Sequence, residues 1–151
     1  MVIGGAIALA SGVVIESLRG QVKRKNIAKA LYFEICTIER ALAGLVPLAR
    51  TTLERADHPA IIPQELYPSR GLYFAFQADI ADFGADLSDR LYAFYTRLVE
   101  AEHERILILN SINQSIVKRT VIDSARRLCQ AIIDLSGGLG PLKAALAGYA
   151  R

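Results

Sequence analysis

The residues best spaced for chemistry are Glu100 and His103, which stand in the order Glu-x-x-His. Di-iron bundle enzymes use that unit on two helices and add one glutamate from each of two others. Here a second unit is missing, because the only other histidine, His58, precedes Pro59. Helical phase argues against a metal as well. At about 100° per residue from Leu87, Glu100 falls at about 220° and His103 at about 160°, away from the apolar stripe of the same stretch. Glu102 and Arg105 fall on that stripe, at about 60° and 0°, one turn apart. Glu34 lies at the edge of the apolar arc of an earlier helix, so Glu34, Glu102 and Arg105 are expected to form an interior polar layer. Such a layer is either an ion pair satisfying itself at the open end of a bundle or a polar pocket for a partner or ligand.

Other motifs fail on their flanks. Gly137-Gly138-Leu139-Gly140 has no Lys-Ser/Thr after it and no strand before it, so it reads as a helix stop rather than a phosphate loop. Serine, histidine and aspartate are present, but no spacing groups them into a triad. No catalytic residue, cofactor or metal ligand is assigned, and no enzymatic activity is expected.

The elements that would carry these residues are organised by the start of the chain. Residues 2–15, VIGGAIALASGVVI, are apolar and small, and ESLRGQVKRK follows at once. At about 1.5 Å per residue the run spans about 21 Å, and about 4.5 Å more on reaching Leu18, against a hydrocarbon core of about 30 Å. A span that short needs local thinning of the bilayer, or further apolar residues upstream of Met1. A secretory signal would carry its positive charge before the run, where none stands, and a buried core helix does not account for the basic flank. The expected division is therefore a membrane anchor over 1–20 and a helical domain over 21–151.

Arg19, Lys23, Arg24, Lys25 and Lys29 against Glu16 give the first thirty residues a charge of +4, whereas the whole chain carries +3. The basic balance thus belongs to a collar at the membrane flank, which argues against nucleic acid as a partner. Juxtamembrane cations stay on the cytoplasmic side and attract anionic lipid, so the domain is expected in the cytoplasm, at the inner membrane. Gly4, Ala8 and Gly12 recur every four residues, a ridge through which two such helices could self-associate. The two cysteines, Cys36 and Cys129, give no reason to posit a disulfide in a reducing compartment.

Past the collar, Ile27, Leu31, Ile35, Ile38, Leu42 and Leu45 fall within about 80° of arc, the face of one amphipathic helix. It is expected to continue from the membrane segment without a break and to end or kink at Pro47. Three of the five prolines lie in 51–69, which reads as a long surface loop. A brief aromatic helix over 72–84 should stop at Gly84. Asp86 or Ser88 should then cap a helix to about Leu109, striped by Leu87, Leu91, Phe94, Leu98 and Ala101. Tyr92, Tyr95 and Val99 widen that stripe into a second apolar face, which predicts a central helix. SINQS reads as a turn. Val117, Val121, Ala125, Leu128, Ile132 and Leu135 mark another long helix, stopped by SGGLGP, with a last short helix after Pro141. The class is all-α: three long helices and two short ones in an irregular antiparallel bundle.

The motif FGADLSDRLYAFYTRL, with Phe94-Tyr95, Leu98 and the Glu34 helix, resembles a pattern in uncharacterised small bacterial membrane proteins. Phe83-Gly84-Ala85 stands where that group usually has Leu-Gly-Leu. The resemblance implies a single-pass membrane protein with a cytoplasmic helical domain, and it implies no reaction. Seven of the eleven aromatics lie between Tyr73 and Tyr95; where exposed, Tyr73, Phe76, Tyr92 and Tyr95 would make a partner surface. The sequence thus points to a membrane-anchored interaction module. A pore-forming protein of the holin or toxin kind and a ligand- or metal-binding bundle are the alternatives.

Overall fold

The computed structural model describes residues 3–55, 62–67, 71–113 and 119–151, without the side chains of 3–15 and 113. The described residues are all-helical. Helix α1 spans Ile3–Glu54, α2 Leu72–Ala75 and α3 Gln77–Ile80; a 3₁₀ turn, Ala81–Phe83, leads to α4, Ala85–Asn113, and then α5, Arg119–Ala150. The periodic stripes are where the sequence puts them. Ile27, Leu31, Ile35, Ile38, Leu42 and Leu45 of α1, Leu87, Leu91, Phe94, Leu98 and Ala101 of α4, and Val121, Ala125, Leu128, Ile132 and Leu135 of α5 are all buried. Val117 lies outside the described residues.

Polar contacts fix the directions of the helices. Along α1 and α5, Lys25 meets the main-chain oxygen of Arg151 and Lys143 meets Glu39, so the two run antiparallel. Arg127 meets Glu104, and Arg90 and Pro141 line one cleft, so α4 and α5 are antiparallel too. Helices α1 and α4 therefore run the same way, and α5 packs along both. The central position expected for α4 belongs to α5.

Between α1 and α4 the chain must travel back the length of the bundle. The contacts of 62–83 descend in order: Pro63 beside Arg105, Leu66 beside Glu102, Tyr67 and Tyr73 beside Glu34, Asp79 beside Lys23 and Asp82 beside Arg24. The topology is thus up-down-up-down, with an irregular strap where a regular bundle has its second helix. Pro63 and Gly71 keep the strap from forming one long helix. In the expected surface loop Ile62, Leu66 and Tyr67 nonetheless bury their side chains, as Tyr73, Ile80 and Phe83 do further along the strap.

Two expected helix ends and one expected cap are corrected. Helix α1 passes Pro47 and continues to Glu54. The proline deprives the Ala43 carbonyl of its donor, but Ala43, Gly44 and Pro47 are exposed, so water can replace it. Beyond Pro47, Ala49 and Thr52 stay buried, and the Thr51 and Thr52 hydroxyls donate to the carbonyls of Pro47 and Leu48 at 3.0 and 2.9 Å. Helix α5 likewise passes SGGLGP, so the expected last short helix is part of it. Three glycines and a proline cost roughly 6 kcal/mol in helix propensity. The buried face is continuous across them, and Leu135, Leu139, Leu142 and Leu146 contribute about 1.5–3 kcal/mol each. Finally, neither Asp86 nor Ser88 is the N-cap of α4, which begins after Gly84; the Ser88 hydroxyl donates to the carbonyls of Ile80 and Gly84 at 2.7 and 2.8 Å. Gly84, at φ 84° and ψ 155°, occupies a conformation that side chains rarely adopt.

Candidate functional site

A strap whose helices are only one turn long leaves backbone groups that must find partners inside the molecule. Two acidic side chains supply them. Glu34, at 2% exposure, accepts four hydrogen bonds: from the Tyr67 hydroxyl (3.1 Å) and Leu72 amide (3.2 Å) at Oε1, and from the Tyr73 amide (3.1 Å) and Tyr95 hydroxyl (2.7 Å) at Oε2. Its charge is spread over these donors. Tyr73 stacks on Tyr95 with centroids 4.0 Å apart and planes 11° from parallel, and Tyr67 tilts against Tyr95 at 5.8 Å. Burial, and then the Glu34 carboxylate, push the Tyr95 and Tyr67 hydroxyls well above the usual phenol range.

Two turns further along α4, seven residues past Tyr95, sits the second clamp. Glu102 Oε2 accepts from the Leu66 amide at 3.0 Å, and Arg105 donates to the same carboxylate through Nε at 3.0 Å and a terminal nitrogen at 2.6 Å. The remaining arm of Arg105 reaches the Pro63 carbonyl at 2.9 Å. Both side chains are buried, at 7% and 6% exposure. The hydrogen bond to Glu102 raises the Arg105 guanidinium's pKa, outweighing the opposing effect of burial.

The three residues expected in the interior are buried, as is Thr52, but they make two clamps rather than one layer. Arg105 serves Glu102, while tyrosines and amides serve Glu34. Tyr67, Leu66 and Pro63 were missed because their partners lie 33 to 42 residues away and no periodicity marks the strap. The expected partner surface is corrected at two positions. Tyr73 and Tyr95 are core residues of the Glu34 clamp, Phe76 is half-buried, and Tyr92 is 60% exposed.

Outside the clamps, Tyr92, Val99, His103 and Ile106 form an exposed stripe on α4, beside exposed Phe74 of α2. Two adjoining clefts run along it, of about 420 and 190 Å³. The larger is lined by Tyr67, Phe74, Val99, His103 and Ile106, with Glu102 at its base. Continuation of the Tyr92 and Val99 positions by one heptad to Ile106 was the available signal for this groove. Glu100 and His103 point to solvent, and among the described residues no three histidine, cysteine, aspartate or glutamate side chains converge on a metal-sized site. His58 lies outside the described residues.

At the other end of the strap, Lys23 pairs with Asp79 at 2.6 Å and Arg24 donates to the Asp82 carbonyl at 3.5 Å, so two collar residues tie the strap to α1. Arg19 and Lys29 are exposed. Among the described residues no helix is long and apolar enough to cross a membrane; the side chains of 3–15, on which the expected anchor rests, lie outside them. The chain matches no family model, no curated protein and no solved structure.

Proposed function

We propose that this chain is a membrane-anchored helical interaction module whose domain, 21–151, faces the cytoplasm and acts through protein contacts rather than catalysis. One observation carries the reading: α1 is an unbroken helix from Ile3 through the basic collar into the bundle core. The strap and α5 both return to that helix at residues 23–25, so the apolar run belongs to the part of α1 beyond the bundle end. The part of that extension before the collar, Ile3 to Leu18, spans about 24 Å, so a bilayer core of about 30 Å must thin around it. The resemblance carried by Phe94, Tyr95 and Leu98 agrees with this reading. Glu34 and Glu102, fully engaged in holding the strap, serve structure rather than proton transfer, and the exposed groove along α4 is the surface offered to a protein partner.

Fractionation of the full chain beside a form beginning at Gln21 tests the reading, with protease added from each side of the membrane. The full chain is expected in the membrane with its domain protected in intact cells, and the shorter form is expected in the soluble fraction and helical. A full chain that stays soluble would sink the anchor. Rapid dye leakage from vesicles carrying the full chain would instead favour a pore.

A further inference from the structure

The end of the bundle where α1 enters gathers more than the collar. Helix α5 brings Tyr149 and Arg151 to it, Lys25 donates to the main-chain oxygen of Arg151, and the Tyr149 hydroxyl donates to the Phe83 carbonyl. A cleft of about 490 Å³ opens there, lined by Gln21, Val22, Arg24, Lys25, Tyr149 and Arg151. That volume lies within the usual range for small-molecule sites. Three of the lining residues are cations. No aspartate or glutamate lines it; Asp79 of the strap is taken by Lys23, and Arg24 also donates to the Asp82 carbonyl. Among the described residues neither Arg24 nor Arg151 has an ion-pair partner. Two guanidiniums, an ammonium and an amide facing one cleft match the oxygens of a phosphate.

A second feature adjoins the cleft. Leu18 and Val22 are 55% and 59% exposed, and with Lys25 they follow helical spacing along one side of α1, leading from the cleft toward the apolar run. Water-exposed leucine and valine one turn above a cationic pocket are a poor arrangement for an aqueous surface and a suitable one for a lipid, whose phosphate and acyl chains need both in that order. We propose that this cleft holds the phosphate of an anionic phospholipid, with its acyl chains along Leu18 and Val22, so that the bundle end rests flat on the membrane surface. The proposal rests on the anchor reading and adds a site to it, one built from both ends of the chain.

The test uses the full chain purified in detergent with equal phosphatidylglycerol and phosphatidylcholine, retained lipid being read by native mass spectrometry. Flotation on pure phosphatidylcholine vesicles reports the anchor separately. Each juxtamembrane cation near anionic lipid contributes about fivefold, so Arg24→Gln, Lys25→Gln and Arg151→Gln together should lower phosphatidylglycerol retention roughly a hundredfold. Arg24→Gln alone, expected at about fivefold, serves if the triple variant loses helicity by circular dichroism. Flotation of both proteins on neutral vesicles, with the anionic lipid kept only by the wild type, is the expected result. Equal retention by the triple variant overturns the pocket and leaves the anchor standing. No flotation by the wild type removes the anchor, and the lipid site with it. Titration with inorganic phosphate alone, if it matches phosphatidylglycerol in affinity, makes the cleft a free-phosphate site and overturns the lipid.

Discussion

Replacing Glu34 by alanine should be among the most damaging single changes in this protein. The carboxylate satisfies four donors, three buried and one half-buried: the Tyr67 and Tyr95 hydroxyls and the Tyr73 amide, and the Leu72 amide. Hydrogen bonds to a charged group are worth about 1.5–3 kcal/mol each, and a donor left buried without an acceptor costs about 1–3 kcal/mol. Four such losses would sum to about 4–12 kcal/mol, but removing the charge also removes its desolvation cost, which is several kcal/mol. The net expectation is a loss of about 3–5 kcal/mol, a large part of the 5–15 kcal/mol typical of a domain. Tyr95→Phe removes only the shortest bond, at 2.7 Å, and should cost about 1.5–2 kcal/mol. Glu34→Gln keeps one carbonyl oxygen for two of the donors but turns an NH₂ toward the others, so it should fall between these. Urea unfolding followed by circular dichroism measures all three, with an unchanged slope confirming that the folded state is intact. A loss below about 1 kcal/mol for Glu34→Ala, with the same slope, would refute the clamp, because the strap would then find its partners elsewhere.

Arg105→Ala should cost about 3–5 kcal/mol in the same assay, because the buried Glu102 carboxylate loses its guanidinium and the Pro63 carbonyl loses its donor. Replacing both Glu102 and Arg105 by methionine should cost less than that single change, and a double-mutant cycle tests the difference. Raised phenol pKa values make the protein alkali-labile. Tyr95 keeps its proton in the fold while the unfolded phenol ionises near pH 10, so stability is fully present below pH 10 and falls by about 1.4 kcal/mol per pH unit above it. Urea midpoints between pH 8 and 11 should therefore drop steeply in the wild type and more gently in Tyr95→Phe. A Cβ at Gly137 or Gly140 meets nothing within 4 Å inside α5, so alanine at either should raise stability by about 0.5–1 kcal/mol. Alanine at Gly84, where φ is +84°, should lower it by about 1–3 kcal/mol, and thermal melts read both signs.

The parts of the fold legible in the sequence are those set by burial with a helical period. Ile27 through Leu45, Leu87 through Ala101 and Val121 through Leu135 specify the faces that α1, α4 and α5 bury. The helix ends were less legible, since Pro47 and SGGLGP are breakers only when the local cost decides. Pro47 and the glycines and proline of SGGLGP are exposed, where water replaces lost hydrogen bonds, and the inward face continues past them through Ala49 and Thr52 in α1 and Leu142 and Leu146 in α5. A stripe read through a breaker, rather than up to it, would have given the true lengths. Of the strap, the helical stretch stopped by Gly84 was legible, but its earlier part was not, because prolines forbid a period and the tyrosines that matter look like any aromatic cluster.

The polar residues show why the remaining inference failed as it did. Phase placed Glu102 and Arg105 in the interior and Glu34 at its edge, and three polar groups in one core suggest a shared layer. Sequence cannot tell which donors will reach a buried carboxylate, and a nearby arginine is the obvious one. In the fold the demand comes from the other side. A second bundle element that is not one helix carries amide and carbonyl groups into the core, and these need acceptors and donors as much as a carboxylate does. Glu34 meets two amides and two phenols, and Glu102 with Arg105 meets one amide and one carbonyl. The strap and the buried charges are therefore one requirement seen from two ends. A bundle of this topology whose second element became a regular amphipathic helix would satisfy its own backbone, and Glu34, Glu102 and Arg105 would then cost stability instead of supplying it.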